Sequence, residues 1–185
     1  MYKRQLLGAG GELEVLDVHV AVERIGFVAV LARMGGHVVT KVRRHSDGDL
    51  LASGSSLRGT EVDAAEIPSL DEVPILGVAA AAAEGTTTFR DVAELRVKES
   101  DRLEATARLV RALGATAAVH GDDLEVTGVG SASAFRRVEF DAQGDHRMAM
   151  AAAIAAAVGA GGVVAGFAGV ATSYPGFLTD LASLR

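Results

Sequence analysis

The chain resembles itself at one offset three times over, and that offset, 74 residues in a chain of 185, limits the fold to copies of a single structural unit. Gly11-Glu-Leu-Glu-Val-Leu-Asp17-Val18 matches Gly85-Thr-Thr-Thr-Phe-Arg-Asp91-Val92, and Asp47 to Gly54 matches Gly121 to Gly128. Asp71, leading Glu-Val-Pro-Ile-Leu-Gly-Val and an alanine run to Gly85, matches Asp145, leading His-Arg-Met-Ala-Met and an alanine run to Gly159. Chance likeness in a chain rich in alanine and glycine would account for one such match but not for three in register. The copies span about 11–84 and 85–158, with a partial third at 159–185.

Within a copy the pattern predicts a strand, a helix, a hairpin, a second helix and a strand. Residues 11–18 alternate like a strand, and residues 24–35 form a helix whose face carries Ile25, Val28 or Ala29, and Ala32, with glycine as its stop. Val38 to Val42 and Leu50 to Ala52 flank the turn residues Ser46-Asp47-Gly48. Residues 74–83 and 148–158 are apolar on every side, so both helices are expected to be enclosed all round. Sheets must then wrap around helices: an inside-out α/β domain in which each enclosed helix leaves its amino end, with its unpaired N–H groups, at the surface. Residues 148–171 run for 24 positions without a charge, enough for a membrane span, but Gly159, Gly161 and Gly162 cut the run into a core helix and a strand.

Composition closes off several kinds of function. There is no cysteine, which excludes disulfides, thiolate nucleophiles and cysteine-held metals and makes the cytoplasm the expected compartment. Met1 to Gly8 holds too little apolar sequence for a signal peptide, so no export is expected. A formal charge of −6 argues against a nonspecific hold on nucleic acid or acidic membrane, so any anion must be held locally. No metal and no cofactor is implied.

The copies differ at one place. Between the equivalent aspartate and glycine the second copy is five residues longer, and this insertion contains Glu94-Leu-Arg96-Val-Lys98-Glu99-Ser100-Asp101-Arg102, six charges in nine residues. Taken alone, such a run reads as a solvated helix start with Ser100 or Asp101 as its cap, and Asp71 and Asp145 alone read as helix caps. The repeat changes that, because it gathers equivalent helix ends at one rim. Arg102, Arg147 and Lys98 there suit a ligand with more than one anionic group, while Asp71 and Glu99 are candidate proton carriers. No nucleophile of the usual kind accompanies them.

Arg96-Val-Lys-Glu-Ser-Asp-Arg102, Asp145-His-Arg-Met-Ala-Met150 and Ser173-Tyr-Pro-Gly-Phe177 resemble the signatures of the 5-enolpyruvylshikimate-3-phosphate synthases, and the resemblance runs from about Gly11 to the end. It implies a fold of βαβαββ units around buried helices, and transfer of the enolpyruvyl group of phosphoenolpyruvate to the 5-hydroxyl of shikimate 3-phosphate with release of phosphate. It implies Asp71 as the acceptor of the shikimate hydroxyl proton and Glu99 as the acid at the phosphoenolpyruvate methylene. Lys98 is implied near shikimate 3-phosphate, Arg102 and Arg147 as the phosphoenolpyruvate clamp, and Asp145 and His146 as support. Some members carry lysine in place of Thr172 and asparagine in place of Glu94. Residues 11–185 resemble only the carboxyl-terminal domain, which leaves residues 1–10 as a leader whose native or foreign origin stays open. Because such an active site lies between two domains, the chain alone is expected to hold half a site, with negligible turnover and the missing amino-terminal domain as its partner. The alternatives are a noncatalytic anion-binding or interaction module of the same fold and the enolpyruvyl transferase acting on UDP-N-acetylglucosamine, whose patterns are not seen at 96–102 or 145–150.

Overall fold

A computed structural model describes residues 11–184; the expected leader at 1–10 lies outside them. The elements run β1 (Glu12–His19), α1 (Val22–Arg33), β2 (His37–Arg44), β3 (Asp47–Ser53), β4 (Glu61–Asp63), α2 (Val73–Ala82), β5 (Thr86–Arg90), α3 (Arg102–Ala112), β6 (Thr116–His120), β7 (Asp123–Thr127), β8 (Val138–Asp141), α4 (His146–Val158), β9 (Gly162–Ala165), α5 (Val170–Ser173) and α6 (Phe177–Ser183). Among the described residues three sheets form, in the orders β1-β3-β2, β4-β5-β7-β6 and β8-β9. The β4–β5 and β8–β9 pairs are parallel; the other ladders are antiparallel.

The repeat is visible in the backbone itself. Asp17 and Asp91 both adopt positive φ, 54° and 56°, a region that aspartate tolerates better than most residues. Each donates its N–H to an aspartate of the hairpin behind it, Asp17 to Asp49 at 3.1 Å and Asp91 to Asp123 at 3.0 Å. Both donors and both acceptors are 74 positions apart. The middle sheet shows where one unit begins: β4-α2-β5-α3-β6-β7 is a complete βαβαββ unit, so the copies seen in the sequence are cut out of phase with it. β1-α1-β2-β3 is the last part of such a unit, and β8-α4-β9 the first part of another.

Alanine-rich sequence is what allows α2 to be surrounded. Nine of its ten residues are buried, and a Cβ on Gly77 would come within 2.6 Å of the Thr106 methyl on α3, so the two helices meet backbone to side chain. The second enclosed helix departs from expectation. α4 buries Met148, Ala149, Ala151, Ala152, Ile154 and Ala155, but Met150, Ala153, Ala156 and Ala157 are only partly covered. The sheet beside it has two strands rather than four. The predicted face of α1 is also corrected. Phe27, Val30, Leu31 and Met34 point into the core, whereas Ala29 and Ala32 are exposed and Ile25 and Val28 half-buried. A local break at Ile25 (φ −116°, ψ 16°) turns the following residues away from the stripe the sequence suggests. Among the described residues no helix is long and apolar enough to cross a membrane; the uncharged run at 148–171 divides into α4, β9 and α5.

Candidate functional site

Three chain segments reach one rim of the domain because of how their helices start. α2 is preceded by a 3-10 turn over Leu70–Glu72 and has proline in its first turn, and no side chain caps it. Asp71 is therefore free of the capping duty that its position suggests, and its carboxylate turns sideways. α4 does use its acid: Asp145 accepts from the N–H groups of Arg147 at 2.9 Å and Met148 at 3.3 Å. The charged insertion forms a 3-10 turn over Ala93–Val97, and α3 begins after Asp101 accepts from the Glu104 N–H at 3.1 Å. Of the two caps expected there, Asp101 is the one used.

Arg102, the first residue of α3, binds these segments together. Its side chain is 1% exposed, and its guanidinium donates in three directions. Nε donates to Asp145 Oδ2 at 2.8 Å, Nη1 to Asp71 Oδ1 at 2.7 Å, and Nη2 to Glu99 and, at 3.3 Å, to Asp145 Oδ1. A guanidinium has five N–H donors, so one arginine can satisfy three carboxylates in this way. Ser100, which the sequence marked only as a possible cap, donates its hydroxyl to Asp145 Oδ2 at 2.8 Å. Lys98 pairs with Glu94 four residues earlier and lies 3.8 Å from Asp71. Arg147 lies 3.4 Å from Asp71 Oδ2 and 3.6 Å from Glu72 Oε1, with its buried Nε lacking a hydrogen-bond partner.

The structure thus brings Asp71, Lys98, Glu99, Arg102, Asp145 and Arg147 into one connected network. His146 opens α4 half-buried and adds no bond to it. Thr172 also stands apart, its hydroxyl donating to the Gly169 carbonyl at 2.7 Å. The sequence did not show that the rim's cations are already matched: Lys98, Arg102 and Arg147 face Asp71, Glu72, Glu94, Glu99 and Asp145. Arg102 is the most saturated of the three and Arg147 the least. Beside Arg147 a cleft of about 190 Å³ opens between the amino halves of α2 and α4, with Tyr174 and Phe177 along its side.

Burial alone would push the Asp145 carboxyl up, but hydrogen bonds from Arg102 and Ser100, the Arg102 charge and the Met148 N–H outweigh it and hold the group below the usual carboxylate range. Because the folded value is the lower one, the stabilisation is present above the unfolded value, near 4, and is lost as pH falls through the folded one. Urea unfolding measured from pH 6 down to pH 2 is expected to show stability falling in acid, with a shallower fall in Asp145→Asn. An unchanged acid slope in that variant would remove Asp145 from the account.

A family model described as EPSP synthase (3-phosphoshikimate 1-carboxyvinyltransferase) matches residues 7–181. The chain belongs to the EPSP synthase family. A 3-phosphoshikimate 1-carboxyvinyltransferase of Geobacter sulfurreducens is 39% identical over 188 residues, covering 97% of this chain and 43% of the relative. One from Synechocystis is 44% identical over 179 residues, covering 93% of this chain and 39% of the relative. The solved EPSP synthase of Acinetobacter baumannii superposes with a TM-score of 0.91 at 30% identity, covering 98% of this chain and 43% of that one. The enolpyruvyl transferase NikO of Streptomyces tendae, with a TM-score of 0.73 at 23% identity, shares the fold. The chain therefore spans less than half the length of these EPSP synthase relatives, and its inside-out α/β architecture is that of the family.

Proposed function

We propose that this domain forms one wall of the active site of a 3-phosphoshikimate 1-carboxyvinyltransferase, which moves the enolpyruvyl group of phosphoenolpyruvate onto the 5-hydroxyl of shikimate 3-phosphate. The observation that carries this reading is the single network joining Asp71, Glu99, Arg102 and Asp145, with Lys98 and Arg147 at its edge. Protonation of the phosphoenolpyruvate methylene makes its C2 electrophilic; the shikimate hydroxyl attacks C2 and loses its proton. The tetrahedral intermediate then expels phosphate as the methyl group gives a proton back, restoring the double bond.

Glu99 is suited to carry the methylene proton, since its carboxylate is more than half exposed and stands just before the start of α3. Asp71 is suited to accept the hydroxyl proton, and Lys98 to meet the shikimate phosphate. Arg147, the least saturated cation, would take the anionic end of phosphoenolpyruvate, with Arg102 holding Asp71 and Glu99 at fixed separation while assisting it. Asp145 supports both arginines with its carboxylate, which accepts from the Arg102 guanidinium and from the Arg147 backbone N–H. Positioning and charge compensation of this kind are the main devices open to a site without a nucleophile. His146 has a supporting role through the helix start it occupies. The other wall would come from an amino-terminal domain of the same enzyme, and the setting of such a biosynthetic step is the cytoplasm.

Co-expression of the chain with a complementary amino-terminal domain tests this directly. Phosphate release should require both substrates and both polypeptides, and should fall by about 100-fold or more in Arg147→Ala, the usual scale for a lost charge-stabilising donor. Substrate-dependent release that survives Arg147→Ala, or a well-folded reconstituted pair without any release, would overturn it.

A further inference from the structure

The cleft beside Arg147 has a character that an anion-transfer site does not need. Its floor is apolar, built by Ile75 of α2, Met150 and Ile154 of α4 and Phe177 of α6. Its volume, about 190 Å³, exceeds the roughly 150 Å³ of an apolar cavity able to hold a benzene ring. Its polar lining carries both signs of charge, Arg147 beside Asp71 and Glu72, and Asp71 also takes Arg102 at 2.7 Å with Lys98 3.8 Å away. Arg147 approaches these carboxylates at 3.4 and 3.6 Å, longer than the roughly 2.7–2.9 Å of a charge-assisted hydrogen bond, and its buried Nε donates to nothing.

A simple carboxylate with an apolar arm would meet Arg147 but also two acids, and an amine with the same arm would meet the acids but also a guanidinium. A molecule that carries both charges on one carbon, with an apolar group beyond them, matches the charges of both signs and the apolar lining together. We propose that this cleft binds a free α-amino acid with an aromatic or large branched side chain. Its carboxylate would lie on Arg147 and its ammonium against Asp71 and Glu72, with the side chain on the Ile75, Met150 and Ile154 floor. Binding here needs no enolpyruvyl transfer; where the site also performs that reaction, the amino acid would compete for Arg147 and Asp71.

The test is a titration of the full 185-residue chain with L-phenylalanine, followed through the Met150 methyl resonance and through magnetisation transfer from the phenyl protons to that methyl. 3-Phenylpropanoate, phenethylamine and L-alanine, lacking the ammonium, the carboxylate and the ring respectively, should each bind at least about tenfold more weakly, the scale of one lost charged partner or one lost apolar arm. Arg147→Gln should weaken phenylalanine by a similar factor and leave phenethylamine no weaker. Equal binding of 3-phenylpropanoate and phenylalanine, absence of transfer to Met150, or no saturable shift up to about 10 mM, where even a weak complex is visible, would overturn the proposal. These outcomes are separable from failure of the transfer reaction, because phosphate release plays no part in the readout.

Discussion

Arg102→Leu is expected to lower the unfolding free energy by about 3–5 kcal/mol, the cost of removing one partner from a buried charge network. The leucine would fit the buried space, so packing is not the main loss. The loss is electrostatic: Asp145, with its side chain fully buried, would keep only Ser100 and two backbone N–H groups, and Asp71 would lose its 2.7 Å donor. The urea midpoint of the variant at pH 7 measures the effect. Adding Asp145→Asn to Arg102→Leu should recover part of the loss, because the buried charge left without a guanidinium is then gone as well. A cost below about 1 kcal/mol, the usual range of an exposed pair, would show that Arg102 is solvated rather than buried.

Gly128→Ala is expected to cost about 3 kcal/mol, at the upper end of what overpacking does. A Cβ at this position would stand 2.1 Å from the Ala83 carbonyl oxygen and 2.4 Å from that of Ala80. Both are backbone atoms at the end of an enclosed helix, and both already accept hydrogen bonds there, Ala83 O from the Gly130 N–H at 3.0 Å and Ala80 O from the Ala83 N–H at 3.1 Å. Neither side can yield without breaking these bonds. Thermal unfolding of Gly128→Ala beside Gly130→Ala isolates the steric part: Gly130 has φ of 83° but no atom near its missing Cβ. If both variants lose the same stability, the close approach at Gly128 is not what requires glycine.

The architecture could be read from the chain because its two strongest signals do not depend on tertiary context. A 74-residue offset survives any packing, and a helix without a polar face has nowhere to go but inside. The phase of the repeat was less accessible, since only the ladders reveal that β4 belongs with β5 rather than with the strands before it. The face of α1 was misjudged because small apolar residues at 28, 29 and 32 make as regular a stripe as the larger ones at 27, 30 and 31. What decides between them is Gly26, whose missing Cβ admits the Glu66 carbonyl and the Pro68 ring, contacts about 40 residues away in sequence. At the rim, residue types pointed to charge-based chemistry, but their pairing did not follow. Arg102 reads as an exposed start to a helix, and its near-total burial rests on Asp145, 43 positions further on. Glu72 and Glu94 drew no attention as charge partners, because an acid beside a lysine or a helix start is ordinary wherever it occurs.

The distribution of Arg102's partners also orders events during translation. By the time the ribosome has delivered β7, the four-stranded sheet and its two helices have all their residues, and Asp71 and Glu99 are both within reach of the guanidinium. Asp145 and Arg147 emerge only with the next helix. A nascent chain paused before them would carry every residue of that sheet but an unfinished rim, so the rim is completed after the sheet and before β9, α5 and α6 are added.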